Sequence, residues 1–119
     1  MLDHFNIPVS HIEHSNRLYR PLLSLLGMQE LYRDEYVIGY GDSHWVFGLE
    51  RVDHPINPLH FALRASSNAQ VAQFYNLALE HGARDNGAPG LRAEYGAHYF
   101  AAYVLDLDGH NLEVVHRGE

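Results

Sequence analysis

The feature that most constrains this chain of 119 residues is that it reads as one unit written twice. His4-Phe5-Asn6-Ile7 returns as His60-Phe61-Ala62-Leu63 at a spacing of 56, and at the same spacing Ser10 meets Ser66 and Tyr19 meets Tyr75. Each copy opens on strict alternation, the period of a strand with one buried face. In Leu2–Val9 the apolar set is Phe5, Ile7 and Val9; in Leu59–Ala65 it is Leu59, Phe61 and Leu63. A capping box follows in each copy, Ser10-His11-Ile12-Glu13 and Ser67-Asn68-Ala69-Gln70, and introduces apolar residues at helical spacing. Those stripes are Ile12, Tyr19, Leu22, Leu23 and Leu26, stopped by Gly27, and Val71, Phe74, Tyr75, Ala78 and Leu79, stopped by Gly82. Pro21 inside the first helix predicts a kink or a lost backbone bond, worth about 3 kcal/mol if unrelieved.

Three short strands complete each copy. In the first they are expected at Met28–Arg33, Glu35–Gly41 and His44–Glu50, and in the second at Leu91–Tyr95, Tyr99–Asp106 and Asn111–His116. The segment 83–90 reads as turn, with Asn86-Gly87-Ala88-Pro89-Gly90 a rigid loop, and Asp108-Gly109 closes the last hairpin. The expectation is an α+β chain forming a single domain over 1–119, with one module at about 1–52 and a second at about 58–117.

Composition narrows the function. Eight Lys and Arg against fifteen Asp and Glu give a net charge of −7, which argues against a nucleic-acid or anionic-membrane surface. No Cys is present, so a disulfide framework, a thiolate metal site and a cysteine nucleophile are excluded, and a cytoplasmic location is expected. No apolar run approaches the roughly 20 residues that span a bilayer, and Met1-Leu2-Asp3-His4 does not open a signal peptide. Ten His remain, so any metal must be held by imidazole and carboxylate.

Alternation sends His4 and His60 to the face opposite Phe5 and Phe61, and sends Glu113 away from Leu112 and Val114. A carboxylate flanked by aliphatics needs a cation or water beside it. Two imidazoles and one carboxylate on a common face match the two-His-one-carboxylate set for a divalent metal with open positions. His11, His14, His54, His81 and His116 carry no such pattern and read as surface or structural histidines.

The paired units, the His opening each, and Asp106-Leu107-Asp108-Gly109-His110-Asn111-Leu112-Glu113 together resemble the vicinal oxygen chelate superfamily of glyoxalase I, bleomycin-resistance proteins and extradiol dioxygenases. Arg84 to Arg92 is similar to a subgroup of small lactoylglutathione-lyase-like proteins. The resemblance implies two βαβββ modules forming a curved half-barrel, commonly a homodimer, with a divalent cation (Fe, Zn, Ni or Mn) bound through His4, His60 and Glu113. It implies a lyase, isomerase or dioxygenase that chelates two adjacent oxygens of a small molecule. Its alternative is a metal-free binder that sequesters an antibiotic.

For the fourth ligand that glyoxalase I uses, two alignments are open: one puts Gly48 at that place, the other makes Glu50 the counterpart of Glu113. Pro8 stands where glyoxalase I carries an arginine for the glutathione carboxylate, which argues against glutathione. Arg92, Tyr95, His98 and Tyr99 gather near the seventh strand and are candidates for orienting an anionic or phenolic substrate. The extradiol enzymes imply acid–base roles for His98 and Tyr99 beside Glu113. Neighbours on a strand face opposite ways, so at most one of that pair meets the metal. The plainer alternative is core packing for Tyr99 and Tyr103 and a solvent-facing or interface His98.

Overall fold

The computed structural model describes residues 1–118. The chain divides into two compact units, Met1–Asn57 and Pro58–Glu119. The first holds β1 (Phe5–Val9), α1 (Ile12–Leu25), β2 (Gln29–Arg33), β3 (Val37–Gly41) and β4 (Trp45–Arg51). The second holds β5 (His60–Arg64), α2 (Asn68–Glu80), β6 (Arg84–Leu91), a 3₁₀ turn (Ala93–Tyr95), β7 (Tyr99–Leu105) and β8 (Asn111–Arg117). Each unit is therefore βαβββ, as the repeat requires.

The sheets share one topology, β1-β4-β3-β2 in the first unit and β5-β8-β7-β6 in the second. The opening strand pairs parallel with the closing strand and the other pairings are antiparallel. A parallel pair needs a crossover, which the helix and the two intervening strands supply. Alternation sends Ile7, Val9, Ile38, Tyr40, Phe47 and Leu49 against Leu18, Tyr19, Leu22 and Leu23 of α1, and all are essentially inaccessible. In the second unit Leu112, Val114, Ala102 and Val104 do the same against Val71, Phe74 and Ala78 of α2. The opposite face of each sheet is thereby left to carry polar side chains.

Both helices stop at the expected glycines, Gly27 at φ +88° and Gly82 at φ +100°, a left-handed conformation that a side chain would strain. The starts differ. Ser67 caps α2, accepting from the Gln70 amide at 3.0 Å, but the Gln70 side chain returns to the Ser66 amide at 2.8 Å instead of to Ser67. α1 begins at Ile12 with His11 as an N-cap that makes no side-chain bond. The Ser10 capping box is thus out of register, and the Glu13 carboxylate binds Arg33 at 2.6 Å. The helix continues through Pro21.

The largest departure is β6. Residues 84–91 form a strand where turn was expected, and the expected strand at Leu91–Tyr95 ends instead in the 3₁₀ turn. The reason is position: β6 pairs only with β7, at the sheet edge, and its register slips around Gly87 and again before Gly90. An edge strand with bulges tolerates Gly and Pro that a central strand would reject.

Candidate functional site

The β5–β8 ladder sets Ala62 opposite Glu113, and the β7–β8 ladder sets Tyr103 on its other side. His60, Glu113, Tyr99, Tyr103 and Arg117 therefore share the face turned away from α2. The Glu113 side chain is 3% exposed and the His60 ring 56% exposed. A buried carboxylate demands donors, and both oxygens have one. Oε1 meets His60 Nε2 at 2.9 Å, and Oε2 takes a short hydrogen bond from the Tyr99 hydroxyl. Burial, then the hydrogen bond and charge of Glu113, push the Tyr99 hydroxyl up to about 12. Burial and the Glu113 charge also raise Tyr103. Tyr99 is thus a firm proton donor at neutral pH.

These groups line a cavity of about 510 Å³, joined by Glu94 and Tyr95 from the 3₁₀ turn. Its rings are mutually braced: Tyr95 lies 5.3 Å from Tyr99, His60 lies 6.2 Å from Tyr103, and the guanidinium of Arg117 sits 4.9 Å from the Tyr99 ring centroid. The expectation that Tyr99 and Tyr103 pack in the core is corrected here. Odd-numbered residues of β7 face away from α2, so both tyrosines line the cavity.

Most of the recognisable Asp106–Glu113 run is scaffold. Asp106 Oδ1 accepts the amides of Asp108 and His110, at 3.0 and 2.8 Å, and shapes the β7–β8 turn. His110 is fully buried, and its Nδ1 accepts the Leu59 amide at 2.9 Å. The turn is thereby fastened to the start of β5, one residue before His60. Only Glu113 of the run reaches the cavity.

The first unit builds the equivalent place differently. Gly48 stands opposite Asn6 as Glu113 stands opposite Ala62, so the ladders make Gly48, not Glu50, the counterpart of Glu113. A Cβ on Gly48 would lie 2.1 Å from Asn6 Oδ1, and one on Gly39 2.5 Å from the Trp45 indole. Trp45 donates from Nε1 to Asn6 Oδ1 at 3.2 Å, and Tyr32 stacks on the indole at 5.5 Å. Glu50 is exposed and accepts from Asn6 Nδ2 at 3.2 Å. His4 precedes β1, is 55% exposed, and contacts the Asp3 carboxylate through Nδ1 at 2.7 Å.

The remaining candidates separate. His98 is exposed, just before β7, and is not among the cavity walls, whereas its neighbour Tyr99 is. Arg92 is engaged by its own loop, donating to the Ala88 carbonyl at 2.7 Å and covering the Tyr103 ring. Arg117 and Tyr103 were not singled out for the site from sequence. The signal was there, since each lies four strand residues from a candidate, Glu113 or Tyr99, and so shares its face. Among the described residues, no three or more His, Asp or Glu are gathered as a metal site. The donors that are brought together, one imidazole nitrogen and one carboxylate oxygen, are of the kind a divalent transition metal takes.

The sequence model of the Glyoxalase/Bleomycin resistance protein/Dioxygenase superfamily matches residues 1–114. The chain belongs to that superfamily. Among solved structures, a glyoxalase/bleomycin resistance protein from Albidiferax ferrireducens T118 is similar at 23% identity, with 99% of each chain covered and a TM-score of 0.86. A glyoxalase-related enzyme from Fulvimarina pelagi shares 17% identity, covering 98% of this chain and 87% of its own, with a TM-score of 0.77. The fosfomycin resistance protein FosX from Mesorhizobium loti shares 16%, covering 100% and 92%, with a TM-score of 0.71. At these identities the likeness is one of fold. No curated protein matches the sequence significantly. No helix among the described residues is long and apolar enough to cross a membrane.

Proposed function

We propose that this superfamily member is a divalent-metal enzyme, a lyase, isomerase or dioxygenase acting on a small molecule with two neighbouring oxygens. The observation that carries the reading is the contact of His60 Nε2 with Glu113 Oε1 at 2.9 Å at an open cavity. An imidazole and a carboxylate at that separation are two ligands of the set the sequence implies, for which the resemblance implies His4 as the third. When bound, such a cation polarises substrate oxygens as a Lewis acid.

The chain's own groups do the rest. Tyr99 holds the outer oxygen of Glu113 by its hydroxyl, fixing the carboxylate's rotamer, and keeps its proton at neutral pH. It is therefore a donor to an oxygen developing negative charge and not a base. His98 stands apart from the cavity walls, so of the two residues to which the resemblance gives acid–base roles Tyr99 is the one placed to act, as the donor. The assembly proposed is a cytoplasmic homodimer, checked by its mass in solution scattering.

The test is metal analysis and titration of protein purified without a histidine tag. About one equivalent of zinc, manganese, nickel or iron per chain is expected, and it should be lost in His60→Ala. A folded wild-type protein that takes up none of these ions overturns the reading. A second reading, metal-free sequestration of an aromatic molecule, draws on the three tyrosines lining the cavity and on the Glu113 oxygens already being engaged. Binding of an aromatic drug by protein that takes up no metal would favour it.

A further inference from the structure

Arg117 lines two cavities at once. One is the cavity of His60, Tyr99 and Glu113; the other, about 410 Å³, lies at the ends of β5 and β8 beside the start of α2. The second cavity is walled by Arg64, Ala65, Ser66, His116 and Arg117 and, among the described residues, includes no carboxylate. Neither Arg64 nor Arg117 has an acidic partner within ion-pair distance among the described residues. Arg117 covers the ring of Tyr99, whose hydroxyl binds Glu113, so a ligand reaching from Glu113 to Arg117 has one tyrosine ring to pass.

The two cavities share Arg117 and differ in their other charged walls. Glu113 and Glu94 line the first cavity, and two guanidiniums and an imidazole line the second. Guanidinium forks without a carboxylate are matched by planar or tetrahedral oxyanions, which they bind bidentately. We propose that the cavity at the ends of β5 and β8 is an anion subsite, with Arg117 and Arg64 holding the carboxylate, phosphate or phosphonate group of the small molecule whose reacting oxygens lie at His60 and Glu113. The assignment of the reacting end rests on the functional reading above; the subsite itself does not need the metal.

Inorganic phosphate is the probe, titrated into untagged protein stripped of metal by a chelator and followed by phosphorus NMR or calorimetry. Arg117→Ala is expected to weaken phosphate binding about tenfold, the Arg64→Ala/Arg117→Ala pair to abolish it, and Arg117→Lys to restore part of it. Both arginines are exposed, so the fold should be retained, and circular dichroism checks it. In the same metal-free protein His60→Ala should leave phosphate binding within about twofold. The inference is overturned if wild type binds no phosphate at about 10 mM, or if the double variant binds as wild type does. It is also overturned if His60→Ala, and not the arginine variants, removes binding. Failure of wild type to bind metal would sink the functional reading alone.

Discussion

At one point in the repeated unit the two halves have diverged completely. The second sets a buried carboxylate, Glu113, opposite Ala62, with an imidazole on one oxygen and a tyrosine hydroxyl on the other. The first sets Gly48 opposite Asn6 and lays an indole over the two glycines of that face. The backbone pairing is the same in both, so neither strand order nor register decides which half carries chemistry. Side-chain volume does. The carboxamide of Asn6, fixed by Trp45 and Glu50, occupies the room that a longer group at position 48 would need. A small residue at position 62 leaves that room open in the second half.

The contrast breaks most sharply on metal binding. Glu113→Ala should weaken cation affinity by about 100-fold or more, read by calorimetry with zinc or manganese, since a ligand is lost and His60 loses its partner. Equal loss from a first-unit glycine variant would mean that the halves share the work. Next in size, Gly48→Ala should cost about 1–3 kcal/mol of stability in urea unfolding, because the new methyl meets the Asn6 carboxamide. Adding Asn6→Ala should return part of it; no relief would place the strain elsewhere.

A smaller effect follows from Tyr99. Its hydroxyl ionises near 10 when the chain is unfolded and at about 12 when folded. The neutral form is thus favoured by folding: the contribution is complete below pH 10 and is lost as pH rises through about 12. Tyr99→Phe should remove one late step from the alkaline absorbance titration near 295 nm and flatten the fall in stability over that interval. The smallest expected effect is Glu50→Gln, which should leave metal affinity within about twofold, because Glu50 is exposed and two residues beyond the position that matches Glu113.

Much of this is written in the residue order. Alternation in His60-Phe61-Ala62-Leu63 and Leu112-Glu113-Val114 is enough to put His60 and Glu113 on one face, since a period of two admits no other arrangement once Phe61 and Leu112 are buried. What alternation does not carry is how far a side chain leans along that face. Tyr99 lies opposite Arg117 in the ladder, yet its hydroxyl reaches Glu113. Strand β6 was hidden for another reason: its Asn, Gly and Pro are turn formers by intrinsic preference, and only its place at the sheet edge makes them tolerable in a strand. His110 gave no sign of burial, because a histidine beside an Asp-Gly turn reads the same whether it faces water or, as here, receives a distant amide.

That last contact ties together residues 51 positions apart, Leu59 and His110. The entry to β5 has its anchor only after the final hairpin has closed, so the histidine next along the chain is among the last groups to settle when the polypeptide folds. Hydrogen exchange at the Leu59 amide should then be as slow as global unfolding, and a nascent chain halted before residue 110 should carry His60 on an unanchored strand.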